Sequence, residues 1–212
     1  MQRRTNRRAT TRPSIVMPTL SDYYRDLLIW EGEQPRQLVD RWPAALPAVI
    51  EAEFVQAVAD SGLKGYACPI RTGSTNQSIG NQVEEYAILH LSPRMRLFAI
   101  GPCSGAGYPD KVLIQQATGL RMPLEVKATS DWNPSDSNRR VLTSSSQKLR
   151  QQFARPIHHL LMTLLYTIEG QTARMDAVRL DFLEPDTAVN VRLEASVNHK
   201  ILAAGPHRSK VI

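Results

Sequence analysis

Residues 109–128 read Pro-Asp-Lys-Val-Leu-Ile-Gln-Gln-Ala-Thr-Gly-Leu-Arg-Met-Pro-Leu-Glu-Val-Lys-Ala. The run 110–115 has strand character, Ala117, Thr118 and Gly119 carry turn chemistry, and 120–128 is again apolar, so the segment predicts a β-hairpin. Side chains alternate along a strand. Glu125 and Lys127 therefore share one face, while Leu124 and Val126 point into a core. Asp110 opens the first strand, with fourteen residues between it and Glu125. If the two strands are neighbours, two carboxylates and an ammonium meet over a hydrophobic floor, which is what a metal-dependent phosphodiesterase needs. The bland alternative is an exposed hairpin in which Glu125 and Lys127 are only a solvated face.

Working outward, Pro109-Asp110, a spacer, and Glu125-Val126-Lys127 resemble the signature of the PD-(D/E)XK nuclease superfamily, which includes most type II restriction endonucleases. Many members also carry a glutamate on a helix before the motif, four residues after a glycine, and the stretch from Gly80 to Glu84 is similar to that element. The resemblance covers residues 79–130. It implies an α/β (α+β) fold with a central mixed β-sheet flanked by helices. It also implies Mg2+ bound through Asp110, Glu125 and the backbone carbonyl of Val126, with Glu84 as a further ligand. Lys127 would orient the attacking water and stabilise the pentavalent transition state. An acid-x-Lys triplet by itself is a weak signal, since chance supplies on the order of one in such a chain. Here it is the sole such triplet, it lies within an apolar strand, and Gly101, Gly105 and Gly107 precede Asp110.

At 212 residues, with 42% hydrophobic and 22% charged residues, the chain can bury a sizeable core. Residues 14–212 are expected to form a single nuclease domain behind a basic tail at 1–13. The formal net charge is +6, but Arg3, Arg4, Arg7, Arg8 and Arg12 supply five of those charges and the first thirteen residues contain no acid. The remainder carries 21 basic against 20 acidic residues. Bulk charge is therefore weak support for DNA binding, and the location of charge must carry the point. The tail reads as a disordered arm on phosphates, as a solubilising end, or as an organellar presequence broken by Pro13 and Pro18. No transmembrane stretch is present, and residues 14–20 are too short and mixed for a secretory core. Two cysteines, Cys68 and Cys103, without Cys-x-x-Cys spacing argue for buried thiols in a reducing cytoplasm, bacterial or archaeal if the resemblance holds.

Local patterns predict helices over 21–33, capped by Ser21, and over 43–61, starting after Asp40 or Trp42 and ending at Gly62. A third, over 77–91, buries Ile79, Val83 and Leu91 and sets Glu84 beside that stripe, with Glu85 outward. A buried helix is expected within 145–169, then strands over 177–183 and 188–197. His158 and His159 read as ordinary polar residues of that helix. From Arg139 to His159 there are five cations, Arg139, Arg140, Lys148, Arg150 and Arg155, and no acid.

The expected chemistry is in-line hydrolysis of double-stranded DNA at a short specific site by a homodimer, leaving 5′-phosphate and 3′-hydroxyl ends as the resemblance implies. Alternatives are a repair nuclease or junction resolvase of the same fold, or an inactive DNA-binding module. The segment after the catalytic strand carries Asn133, Asp136, Asn138, Arg139 and Arg140, residue types that discriminate bases. Arg139 and Arg140 can equally be phosphate clamps. Lys148 and Arg150 are expected to contact phosphates.

Overall fold

The computed structural model describes residues 17–105, 107–131, 141–142, 145–193 and 199–212. In chain order the strands are β1 (Ala67–Pro69), β2 (Phe98–Pro102), β3 (Lys111–Gln115), β4 (Arg121–Thr129), β5 (Val141–Leu142), β6 (His159–Glu169), β7 (Thr172–Leu183), β8 (Ala188–Leu193), β9 (His199–Gly205) and β10 (Arg208–Val211). The helices are α1 (Leu20–Trp30), α2 (Leu46–Ser61), α3 (Asn76–Leu91) and α4 (Gln147–Gln152). β3 and β4 are the predicted hairpin, antiparallel from Lys111 opposite Leu124 to Ile114 opposite Arg121. They lie in a seven-stranded mixed sheet ordered β1-β7-β6-β4-β3-β2, with β10 also pairing β7. The parallel pair is β4 with β6, and the other pairs are antiparallel. A three-stranded sheet, β5-β9-β8, stands beside it. The α/β expectation, a mixed sheet flanked by helices, therefore holds.

Both faces of the main sheet are covered. On one, Ile50, Phe54 and Val58 of α2 and Ile79, Val83, Ala87 and Leu91 of α3 pack against Met122, Leu124 and Val126 of β4 and Leu160, Met162 and Leu164 of β6. On the other, Tyr24, Leu27 and Leu28 of α1 and Leu149 of α4 join Val112 of β3, Tyr108 and Ile157. Each of the Val, Leu, Ile, Met and Phe side chains among these contributes about 1.5–3 kcal/mol when withdrawn from water.

That two-sided cover corrects the expected helix over 145–169. Residues 147–152 form only the short α4, and 159–169 are the central strand β6. A short continuous apolar run fits a buried helix or a doubly covered strand equally well by periodicity, and the parallel partner β4 decides the matter. His158 accordingly sits just before a strand and His159 opens it, and both are buried. Smaller shifts have local causes. The cap of α1 lies two residues earlier than expected, at Thr19 and not Ser21: its Oγ1 accepts from the Asp22 N–H at 3.1 Å, and the Asp22 carboxylate accepts from the Thr19 N–H at 3.2 Å. α2 begins at Leu46 with Pro47 in its first turn. Asp40 is no cap there, for its carboxylate is committed to Arg155 and to the Ile157 N–H at 2.9 Å.

Glu53, on α2 and only 9% exposed, reaches across to accept from the backbone N–H groups of Arg96 and Leu97 ahead of β2. Glu53→Ala strands both donors and should lower stability by about 1–3 kcal/mol. Glu53→Gln keeps an acceptor and should cost less. Urea denaturation midpoints of the three proteins check that order.

Candidate functional site

β3 ends its pairing with β4 at Lys111 opposite Leu124, so Glu125 and the residues after it run past the start of β3. Asp110, the residue before β3, sits across from them. Its N–H donates to Glu125 Oε2 at 3.2 Å. The Lys127 ammonium lies between the two acids, 2.7 Å from Glu125 Oε1 and 3.0 Å from Asp110 Oδ2. The alternation read from the sequence is present: Met122, Leu124, Val126 and Ala128 enter the core, and Glu125 and Lys127 share the opposite face. Their exposures differ sharply. The Glu125 side chain is 2% exposed, that of Lys127 21% and that of Asp110 44%, so the cluster grades from a dry floor to a wet rim.

The third carboxylate arrives from α3. Ile79, Val83, Ala87 and Leu91 bind that helix to the core, which leaves Glu84 at the edge of the stripe, where its Oε1 accepts from the Ala128 N–H at 3.1 Å. Glu85 is exposed, as expected. The same hydrogen bond orients the backbone of β4. Alternate residues of a strand present their N–H and C=O groups to the same side, so the Val126 carbonyl points toward the edge that Glu84 and Asp110 approach.

Burial raises the pKa of Glu84 to about 7, with Lys127 opposing the rise and Asp110 adding to it. Glu125 is likewise pushed up to about 7, by burial first, against the pull of Lys127 and with the push of Asp110. Burial alone would lower the Lys127 ammonium, but Glu125, Asp110 and Glu84 outweigh it and hold its pKa above the ordinary lysine value. Three acids around one ammonium are short of positive charge. Among the described residues no three His, Cys, Asp or Glu side chains are spaced to hold a metal ion as they stand, and Lys127 bridges Asp110 and Glu125. In chemistry the donors fit a hard divalent cation such as magnesium, being carboxylate and carbonyl oxygens throughout.

The expected DNA contacts fare differently. Asn133, Asp136, Asn138, Arg139 and Arg140 lie outside the described residues, as does the tail at 1–13. Lys148 is not on the surface: it is 6% exposed, and its ammonium donates to the carbonyls of Gly105 at 2.9 Å, Gly107 at 2.9 Å and Pro109 at 2.5 Å. All three donors are engaged, which leaves none for a phosphate. Arg150 is paired with Glu33 at 2.8 Å and Glu31 at 3.8 Å, and Arg155 with Asp40 at 2.5 Å. Of the cations in that stretch, Arg150 and Arg155 are thus met in space by acids from residues 31–40.

A link that the sequence did not reveal joins Tyr108 to His159. Burial lowers the His159 pKa to about 4, so the ring is neutral. The Leu38 carbonyl, 2.7 Å from Nε2, can only accept, which puts the ring proton there. Nδ1 then accepts from the Tyr108 hydroxyl at 2.6 Å. A lone tyrosine before Pro109-Asp110 reads as core, and its partner lies 51 residues away, beyond any local signal.

Compared with protein-family models, with curated proteins and with solved structures, the chain matches none.

The raised carboxyl pKa values have a thermodynamic sign. A glutamate that keeps its proton to about pH 7 when folded, but ionises near 4.5 when unfolded, loses stability as pH rises through that window. Glu84→Gln, whose amide oxygen can still accept from Ala128, should therefore match the wild type near pH 5 and exceed it at pH 8. Thermal melts of both proteins at the two pH values, without divalent ions, test this. Equal differences at both would show that Glu84 is not held protonated.

Proposed function

We propose that this chain is a magnesium-dependent endonuclease of double-stranded DNA, of the restriction-endonuclease-like PD-(D/E)XK type, acting as a homodimer at a short specific site. The observation that carries the reading is the meeting of Asp110, Glu125 and Lys127 at the β3 and β4 ends, with Glu84 brought beside them by α3. The mixed sheet with helices on both faces is in keeping with it.

Asp110, Glu125, Glu84 and the Val126 carbonyl would hold the magnesium ion. When bound, the ion would polarise a phosphoryl oxygen and lower the pKa of a water. Glu84 and Glu125 hold protons near neutrality, and they give them up on taking a cation, so the site loads more readily as pH rises. Beside these acids Lys127 holds its proton, which suits it to a fixed charge and donor toward the phosphate and the attacking water. In-line attack would then expel the 3′ oxygen and leave 5′-phosphate and 3′-hydroxyl ends. A homodimer accounts for a double-strand break, since one site cuts one strand and two-fold symmetry matches a palindrome.

One observation favours a different reading. Lys127 already satisfies both carboxylates, as it would in a DNA-binding module where the cluster is structural. Cleavage separates the two. The chain should cut double-stranded DNA with magnesium, but not with EDTA or calcium, and activity should fall below about pH 7 as Glu84 and Glu125 take up protons. Asp110→Ala, Glu125→Ala and Lys127→Ala should each lower turnover by at least about 100-fold while circular dichroism stays unchanged. Wild-type turnover in any one of them would remove that residue from the mechanism, and a wild type that binds DNA without cutting it would leave the module. For assembly, light scattering should give a dimer on DNA; a monomer that only nicks would reject the two-fold arrangement.

A further inference from the structure

We propose that Lys148 is a positioning residue, whose ammonium fixes the backbone leading into β3 so that Asp110 stays opposite Glu125 and Lys127. The inference rests on the nuclease reading for its consequence and on the geometry around α4 for its cause. α4 is seated in the second core by Leu149, which directs its neighbour Lys148 inward. There the ammonium meets three carbonyl oxygens from alternate residues, Gly105, Gly107 and Pro109, the last directly before Asp110. Carbonyl oxygens brought together repel one another. A buried group with three tetrahedral donors and a positive charge holds them, whereas a neutral side chain or the planar arginine fork does not match the arrangement.

The segment is built for this contact. Gly105 and Gly107 have φ of 97° and 81°, left-handed conformations that a side chain would disfavour. α4 grips the segment a second time through Gln152, whose Nε2 donates to the Ser104 carbonyl at 2.7 Å. On the far side the Tyr108 hydroxyl is held by His159. Asp110 itself is 44% exposed at its side chain and lies outside the β3–β4 ladder, so the backbone before it sets its place together with its bonds to Glu125 and Lys127. A site of three acids tolerates little displacement of one: an ångström of drift separates Asp110 from the cation that Glu125 would share with it.

The test compares the full-length wild type with Lys148→Met and Gln152→Ala. Mn2+ binding is measured by calorimetry, the amide exchange of Asp110 by hydrogen-exchange mass spectrometry, and DNA cleavage with magnesium. Lys148→Met should weaken Mn2+ binding and speed exchange at Asp110 by at least tenfold each, with α3 and β6 amides unchanged. Its kcat should fall while KM for DNA stays near wild type, because Lys148 itself touches no phosphate. Gln152→Ala, which removes a peripheral contact, should move the same quantities less, and it decides the matter if Lys148→Met does not fold. Wild-type Mn2+ affinity and wild-type exchange at Asp110 in a folded Lys148→Met protein would overturn the proposal. A wild type that binds no Mn2+ and cuts no DNA would instead overturn the nuclease reading, and the exchange rates alone would then decide whether Lys148 anchors the segment.

Discussion

The Lys127 ammonium lies between Glu125 and Asp110, and the local structure depends on that contact. A carboxylate as dry as Glu125 is costly when ionised unless a charge and hydrogen bonds meet it. Lys127 supplies the charge, and the Asp110 N–H supplies a hydrogen bond from the neighbouring strand end. The pairing of β3 with β4 puts these groups in reach, and the packing of α3 adds Glu84. With all three acids ionised, one ammonium leaves the cluster two charges negative. Burial is the main cause of the proton affinity of Glu84 and Glu125 near neutrality, with Asp110 adding to it against Lys127, and a divalent cation is a second way to relieve the excess of negative charge.

The rest of the fold serves to hold β4 still. Its parallel partner β6 is buried along most of its length, and β6 in turn pairs over its whole length with β7. α2 and α3 close one face, and α1 and α4 the other. The connection from β4 to β6 passes through α4, so the helix that closes the second face also reaches the backbone ahead of Asp110. Cover and site are therefore mechanically joined: Leu149 faces the core, and the adjacent Lys148 faces the carbonyls.

Charge tells a related story. Lys148, Arg150 and Arg155 read along the chain as a basic stretch, yet each is committed within the molecule, one to carbonyls and two to acids from the segment after α1. Linear charge density overstates the cationic surface whenever a distant acidic segment folds against it. Among the described residues, this stretch offers no free row of cations for a phosphate backbone, so a DNA reading must stand on the acid and lysine cluster itself.

Local patterns determined much. The β3–β4 hairpin follows from turn residues between two strand-like runs, and the facing of Glu125 with Lys127 from the two-residue period of a strand. The face of α3 that carries Glu84, and the end of α2 at Gly62, follow from helical periodicity and a left-handed cap. These are short-range consequences of backbone geometry, and adjacent residues suffice to state them. Tertiary structure decided what adjacent residues cannot. The run 159–169 became a strand because β4 and β7 bracket it and helices cover both faces, a condition that an apolar run does not encode. Lys148 turned inward because three carbonyls about forty residues earlier converge on it, and His159 found Tyr108 for the same reason. Burial and partnership are properties of the assembled chain: they set the proton affinity of Glu84 and Glu125, and they arise only once segments far apart in sequence exclude water from the same place.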